Sequence, residues 1–236
     1  MKTIHTILTV IQAHAQSDLA KALGGLKVEE DNSAFVPNAF IGDFTVEQRH
    51  YKNGEERKSS PNTLHYFGVE DKTLMYSTDQ EGTDNNTRIL IDLRTKYTYS
   101  LSPGSKGHMS ALKVRKKNLT VKELKDGKQP EVTVTAETRA ILGHTCVKTI
   151  IKDEHGTVPC WIKEDVPAPF GDMMRNMVPT GSTDKSKGFA LESEFIDADG
   201  KNRSTNTVKE LRFGPVDAVV FSLDGYEVQE LPSFGN

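Results

Sequence analysis

The sequence is short of cysteine, of long apolar runs and of any surplus of positive charge, and each shortage removes a class of protein. Two cysteines in 236 residues cannot build a disulfide scaffold, and a chain of this length buries a core without such staples. No segment approaches the ~20 consecutive apolar residues that a membrane-spanning helix requires. Lys and Arg number 30 against 33 Asp and Glu, a net charge of −3. The chain as a whole therefore lacks the excess of cations that neutralises phosphate backbones, which argues against nucleic-acid binding and leaves local basic runs as a separate question. Helical periodicity is scarce too, and without crossover helices a parallel sheet has nothing to connect its strands.

What is present first is an N-terminal pattern. Lys2 gives a basic start, residues 4–11 form an apolar run interrupted by His5, Thr6 and Thr9, and Ala13-His14-Ala15 offers a small-x-small cleavage site. Residues 1–15 are expected to be a secretory signal and 16–236 a single exported domain, periplasmic or secreted. The alternative is the first turn of an ordinary helix. No cysteine follows the cleavage site, so a lipid-anchored form is not expected.

Strand signals fill most of the remainder. Phe40, Phe44 and Val46 alternate with Asp43, Thr45 and Glu47 before the Asn53-Gly54 turn. Ile89, Ile91 and Leu93 alternate with Arg88, Asp92 and Arg94, and Tyr97, Tyr99 and Leu101 continue the pattern. Runs around Asp199-Gly200 and Asp224-Gly225 read as a β meander. One apolar and one wet face is the signature of an antiparallel sheet. Helix is expected only at 17–23, where Ser17 caps and Gly24-Gly25 stops the run, and at 170–177, between Pro169 and Pro179.

The second half carries a resemblance. Gly143-His144-Thr145-Cys146, the Gly156 turn, Trp161, Asp165-Val166-Pro167, Gly188-Phe189-Ala190-Leu191, Asp199-Gly200 and the stretch from Phe221 to Tyr226 follow the order of a bacterial envelope family. In that order the chain resembles family 4412 of the domains of unknown function, which is similar in turn to the periplasmic lipoprotein carriers. The resemblance implies a mainly β fold: a strongly curved antiparallel sheet, or half-barrel, with one or two short covering helices around an apolar cavity. It implies a non-catalytic envelope protein that binds a lipid, an acyl chain or a lipoprotein anchor. Phe170, Met173, Met174, Met177 and Trp161 are the candidate ligand contacts, because thioether side chains repack around guests of varied shape. The competing possibility is a structural or protein-interaction module with a packed interior.

Cys146 and Cys160 flank the turn at 153–156. A loop pairing Lys152 with Gly156 would put both on one face, where an oxidising compartment favours a disulfide; a two-residue loop would put them on opposite faces and forbid it. The bond is expected if the protein is exported. His144, Cys146, His155 and Cys160 lack the spacing of a zinc knuckle, and Gly104-Ser105-Lys106-Gly107 lacks the strand-turn-helix setting of a nucleophile elbow. No cofactor and no enzymatic activity are expected. Lys113, Arg115, Lys116, Lys117, Lys122, Lys125 and Lys128 form a basic stripe that faces lipid head groups, an envelope partner or, as a guarded sheet edge, only water.

Overall fold

The computed structural model describes residues 27–231 apart from 59, 80, 105–107, 121–129 and 167–187. The expected signal sequence, both expected helices and Lys122, Lys125 and Lys128 fall outside the described residues.

The chain runs through β1 (Lys27–Glu30), β2 (Gly42–Lys52), β3 (Glu55–Glu56), β4 (Asn62–Gly68), β5 (Lys72–Thr78), β6 (Asp84–Asp92), β7 (Tyr97–Pro103) and β8 (Met109–Arg115). It continues through β9 (Lys117–Thr120), β10 (Glu131–Ile141), β11 (His144–Lys152), β12 (Gly156–Lys163), β13 (Phe189–Asp197), β14 (Asn202–Phe213) and β15 (Tyr226–Glu230). Among the described residues these form a small β1–β9 pair and an open 13-stranded sheet. The fold is mainly β, as the alternating pattern implies, and the large sheet is curved, as the resemblance implies.

Two meanders make up the large sheet. From β2 to β8, with β3 hanging from β2, and from β10 to β14, neighbours in sequence are neighbours in space. A single antiparallel seam joins them, β14 against β2, from Asn202–Lys52 to Phe213–Gly42. The turns are where the sequence places them. Asn53 and Gly54, with φ of 53° and 86°, make the doubly left-handed turn that suits the right-handed twist of a hairpin.

One expected strand is not a strand of the meander. The apolar run after Asp217 forms a short 3-10 helix, Ala218–Phe221, and Asp217 caps it by accepting a hydrogen bond from the Val219 amide at 3.0 Å. The segment crosses the sheet, so β15 joins β8 in parallel, the one parallel pair among the described strands. The reason is burial. Val216, Val220, Phe221 and Leu223 cover a patch of Leu74, Leu90, Leu101 and Ala111 that would otherwise face water.

β15 also changes the basic stripe. Lys113 binds Glu230 at 2.8 Å, Arg115 faces Glu30 at 3.2 Å and Lys116 reaches Asp31 at 3.1 Å. These cations are committed to internal ion pairs, and β8 is an interior strand rather than a guarded edge. Asp31 is the anchor of this corner. Only 1 % exposed, its carboxylate accepts from the Ser33 amide at 3.0 Å and the Ser33 hydroxyl at 2.6 Å, with Lys96 3.9 Å away. Burial pushes this carboxyl up, but the Ser33 bonds and Lys116 outweigh it and hold it well below the usual carboxylate range.

Candidate binding face

Register sorts the side chains of the large sheet into two unlike faces, since residues paired across strands point the same way. Phe44 on β2 pairs with Tyr66, which pairs with Met75, then Ile89, Ser100 and Leu112. The next row on the same face runs Thr73, Ile91, Thr98 and Val114. On the other side of β2 this face continues through Val208 and Asn206 on β14 to Ser193 and Phe195 on β13. From β13 to β8, no described side chain on it is Asp, Glu, Lys or Arg until Lys52 and Asp197, at the far ends of β2 and β13. The opposite face carries Asp43, Glu47, Arg49, Arg88, Lys113, Arg115, Glu192, Arg203 and Arg212 at the intervening positions.

Those charges neutralise one another. Arg212 donates to Asp43 at 2.8 Å, Arg49 to Glu47 at 3.0 Å and Lys209 approaches Glu47 at 3.1 Å. Arg203 pairs with Glu194, and Arg139 with Glu192.

The centre of the uncharged face is solid. Phe44 stacks on Tyr66 at 4.7 Å, meets Phe40 edge-on at 5.4 Å and lies 5.0 Å from Phe189, ring centroid to centroid. Phe44 is 1 % and Tyr66 0 % exposed. The Tyr66 hydroxyl accepts from the Asn38 side chain at 3.1 Å, and burial pushes its pKa up to about 12. Gly68 keeps this arrangement possible: a Cβ there would lie 2.8 Å from the Asn38 amide nitrogen and 2.7 Å from the Phe40 carbonyl. Around the solid centre the apolar side chains are only half-buried, among them Leu64, Ile89, Ile91 and Leu211.

The candidate residues named from sequence separate. Phe170, Met173, Met174 and Met177 fall outside the described residues; the chain leaves the sheet at Lys163 and rejoins it at Phe189, and Val166 and Phe189 both belong to the central cluster. Trp161 is at the margin. It pairs with Glu192, packs one side against that cluster, and carries the Arg139 guanidinium 4.3 Å from its ring centroid. A bulge at Leu191 between Trp161 and Ile162 explains the position, because it flips β12 relative to β13 at this corner.

The cysteines are corrected by register. β11 and β12 pair Lys152 with Thr157 and Thr149 with Cys160, so Cys146 lies an odd number of residues from the position opposite Cys160 and points the other way. Both are buried, free thiols, which replaces the expected disulfide. Cys146 packs with the central cluster and Cys160 with Ile151 and Ile162. Burial raises both thiols, Cys160 to about 11, where little nucleophilic thiolate forms at neutral pH.

A cavity of ≈ 400 Å³ lies on the charged face, under the crossover, lined by Asp43, Phe67, Arg212, Phe213, Val216 and Val220 among others. It lies across the sheet from the half-buried apolar rows, Asp43 and Arg212 being next in register to Phe44 and Leu211 but on the other face, and was not signalled by the strand pattern. Among the described residues no group of His, Cys, Asp and Glu is arranged to hold a metal ion, and no helix is long and apolar enough to cross a membrane.

The arrangement defines an open, mainly β sheet protein with one charged and one uncharged face. No family model matches the sequence, family 4412 included, and no curated protein matches it. Solved structures match the chain at low identity. PNGF-II is 14% identical with a TM-score of 0.43 over 81% of this chain and 32% of its own, so the chain spans about a third of that protein's length. An uncharacterized conserved protein from Thermus thermophilus is 8% identical, TM-score 0.43, over 82% of this chain and 93% of its own. A LolA superfamily protein from Nitrosomonas europaea is 8% identical, TM-score 0.33, over 79% and 91%.

Proposed function

We propose that the protein is a non-catalytic binding protein of the cell envelope whose uncharged face receives an apolar ligand, such as a lipid, an acyl chain or a lipoprotein anchor. The observation that carries this is the contrast between two apolar patches of one chain. The patch around Leu74 and Leu101 is closed by the chain's own crossover. On the uncharged face, Leu64, Ile89, Ile91 and Leu211 stay half-buried around the aromatic centre. Apolar area left partly in water at the flank of a packed core is where a ligand gains most from burial. The reading assigns Phe170, Met173, Met174 and Met177 to the ligand's surroundings and Trp161 to their margin. Export of the chain behind residues 1–15 belongs to the same proposal, as does an envelope partner that delivers or accepts the ligand.

A packed, ligand-free interaction module is the second reading, favoured by the near-complete burial of Phe40, Phe44 and Tyr66. Native mass spectrometry of the protein purified from its own host separates the two. Lipid-sized adducts are expected on the wild type and absent from Ile91→Asp, checked for an intact thermal transition. Wild-type protein free of any adduct, and unable to take up lipid from detergent-solubilised extract, refutes the carrier.

A further inference from the structure

We infer that the ligand is a neutral amphiphile, an acyl chain ending in an ester, amide or alcohol, rather than a free fatty acid or an anionic lipid. The inference rests on the binding role proposed above and adds the chemistry of the polar end. One row below Val46 and Val208, three uncharged polar side chains cross three strands. Gln48 Nε2 donates to Asn206 Oδ1 at 3.0 Å, and Asn206 Nδ2 donates to Ser193 Oγ at 3.3 Å. All three are half-buried.

The chain of bonds has two open ends. Gln48 Oε1 remains an acceptor and the Ser193 hydroxyl remains a donor, so a guest that offers both an OH or NH and a carbonyl completes the row. Val46 and Gln48 are ~7 Å apart along β2, the step from apolar row to polar row. Leu64, the pairing partner of Val46, sits beside this step and leads to the half-buried Ile89. An acyl chain lying over Leu64 and Ile89 would thus bring its head to the row.

A carboxylate or phosphate at the same place would meet no Lys or Arg among the described residues. Lys52 is four residues beyond Gln48, ~13 Å along the strand. The neighbouring Arg49, Arg203 and Lys209 project from the other face and are bound to Glu47, Glu194 and Glu56. The next side chain of β2 on this face is the imidazole of His50. Two amides and a hydroxyl do not compensate the loss of water around a full negative charge, whereas they match a neutral ester or alcohol.

The test is calorimetric titration of the full protein at about pH 8 with 1-decanoylglycerol and with decanoate, which share one acyl chain. Binding of the glycerol ester is expected, with decanoate at least about ten-fold weaker. In Gln48→Leu/Asn206→Leu the preference should shrink to within about three-fold. Should that double variant lose its thermal transition, Ser193→Ala is used in its place, with a smaller reduction. Equal binding of the two probes, or tighter binding of decanoate, overturns the inference and leaves the binding role standing. Binding of neither overturns the binding role itself. A preference that survives both substitutions overturns the assignment to this row.

Discussion

Replacing Asp31 with Asn should loosen the corner where β1, the turn at Lys96 and the end of β8 meet, and it should do so in a pH-dependent way. The carboxylate holds two bonds from Ser33 and one ion pair with Lys116 while almost wholly removed from water. Bonds to a charged group contribute roughly 1.5–3 kcal/mol, and stripping one partner from a buried ion pair costs about 3–5 kcal/mol. Here the lower range applies, because the Lys116 side chain is 38% exposed and can hydrate once released. The expected loss is about 2 kcal/mol near pH 7. The folded carboxyl titrates below its unfolded counterpart, which lies near 3.9. Its stabilisation is therefore complete above that value and disappears as pH falls through the window between the unfolded and folded pKa values. Urea unfolding of wild type and variant, followed by circular dichroism at pH values from about 7 to about 2.5, measures the gap directly. A gap below about 0.5 kcal/mol near pH 7, or one that stays constant on acidification, would refute the role given to this carboxylate.

Two other substitutions or reagents probe the interior. Phe44→Ala removes a ring packed on three others and should cost about 3–5 kcal/mol in urea unfolding, with the slope unchanged; a loss under about 1 kcal/mol would mean the centre is not packed as described. Cys146 and Cys160 should resist alkylation in the native protein and both react after denaturation without reductant, whereas protection of both under those conditions would restore a disulfide.

Much of the sheet was legible from period-two alternation. Phe44 and Val46 against Asp43 and Glu47, or Ile89 and Ile91 against Arg88 and Asp92, assign residues to faces before any pairing is known. What alternation cannot supply is which strand lies beside which. Nothing local to Asp217 says that the next apolar run crosses the sheet, since Val219-Val220-Phe221 has the composition of a strand and only the uncovered Leu74–Leu101 patch decides otherwise. The cysteine geometry failed for a related reason. One residue of loop length at 153–156 sets which way Cys160 points, and turn composition does not resolve a single residue. Of the candidate site, the apolar rows follow from the pattern, but the row of Gln48, Asn206 and Ser193 draws on two distant segments and becomes visible only when they are paired.

The seam between β14 and β2 bears on how the chain reaches its native state. Each meander is built from contacts between near neighbours, which form quickly, while Gln48 and Asn206 on either side of the seam are 158 residues apart. Closing so large a loop is entropically expensive and slow relative to hairpin formation. Folding is thus expected to proceed as two half-sheets that assemble separately and then zip along one line. Until that line closes, the edges of β2 and β14 are both unpaired, and the uncharged face exists only as two incomplete halves. A chain in that condition exposes two unpaired strand edges, each a template for association, at the moment when its uncharged face is still incomplete.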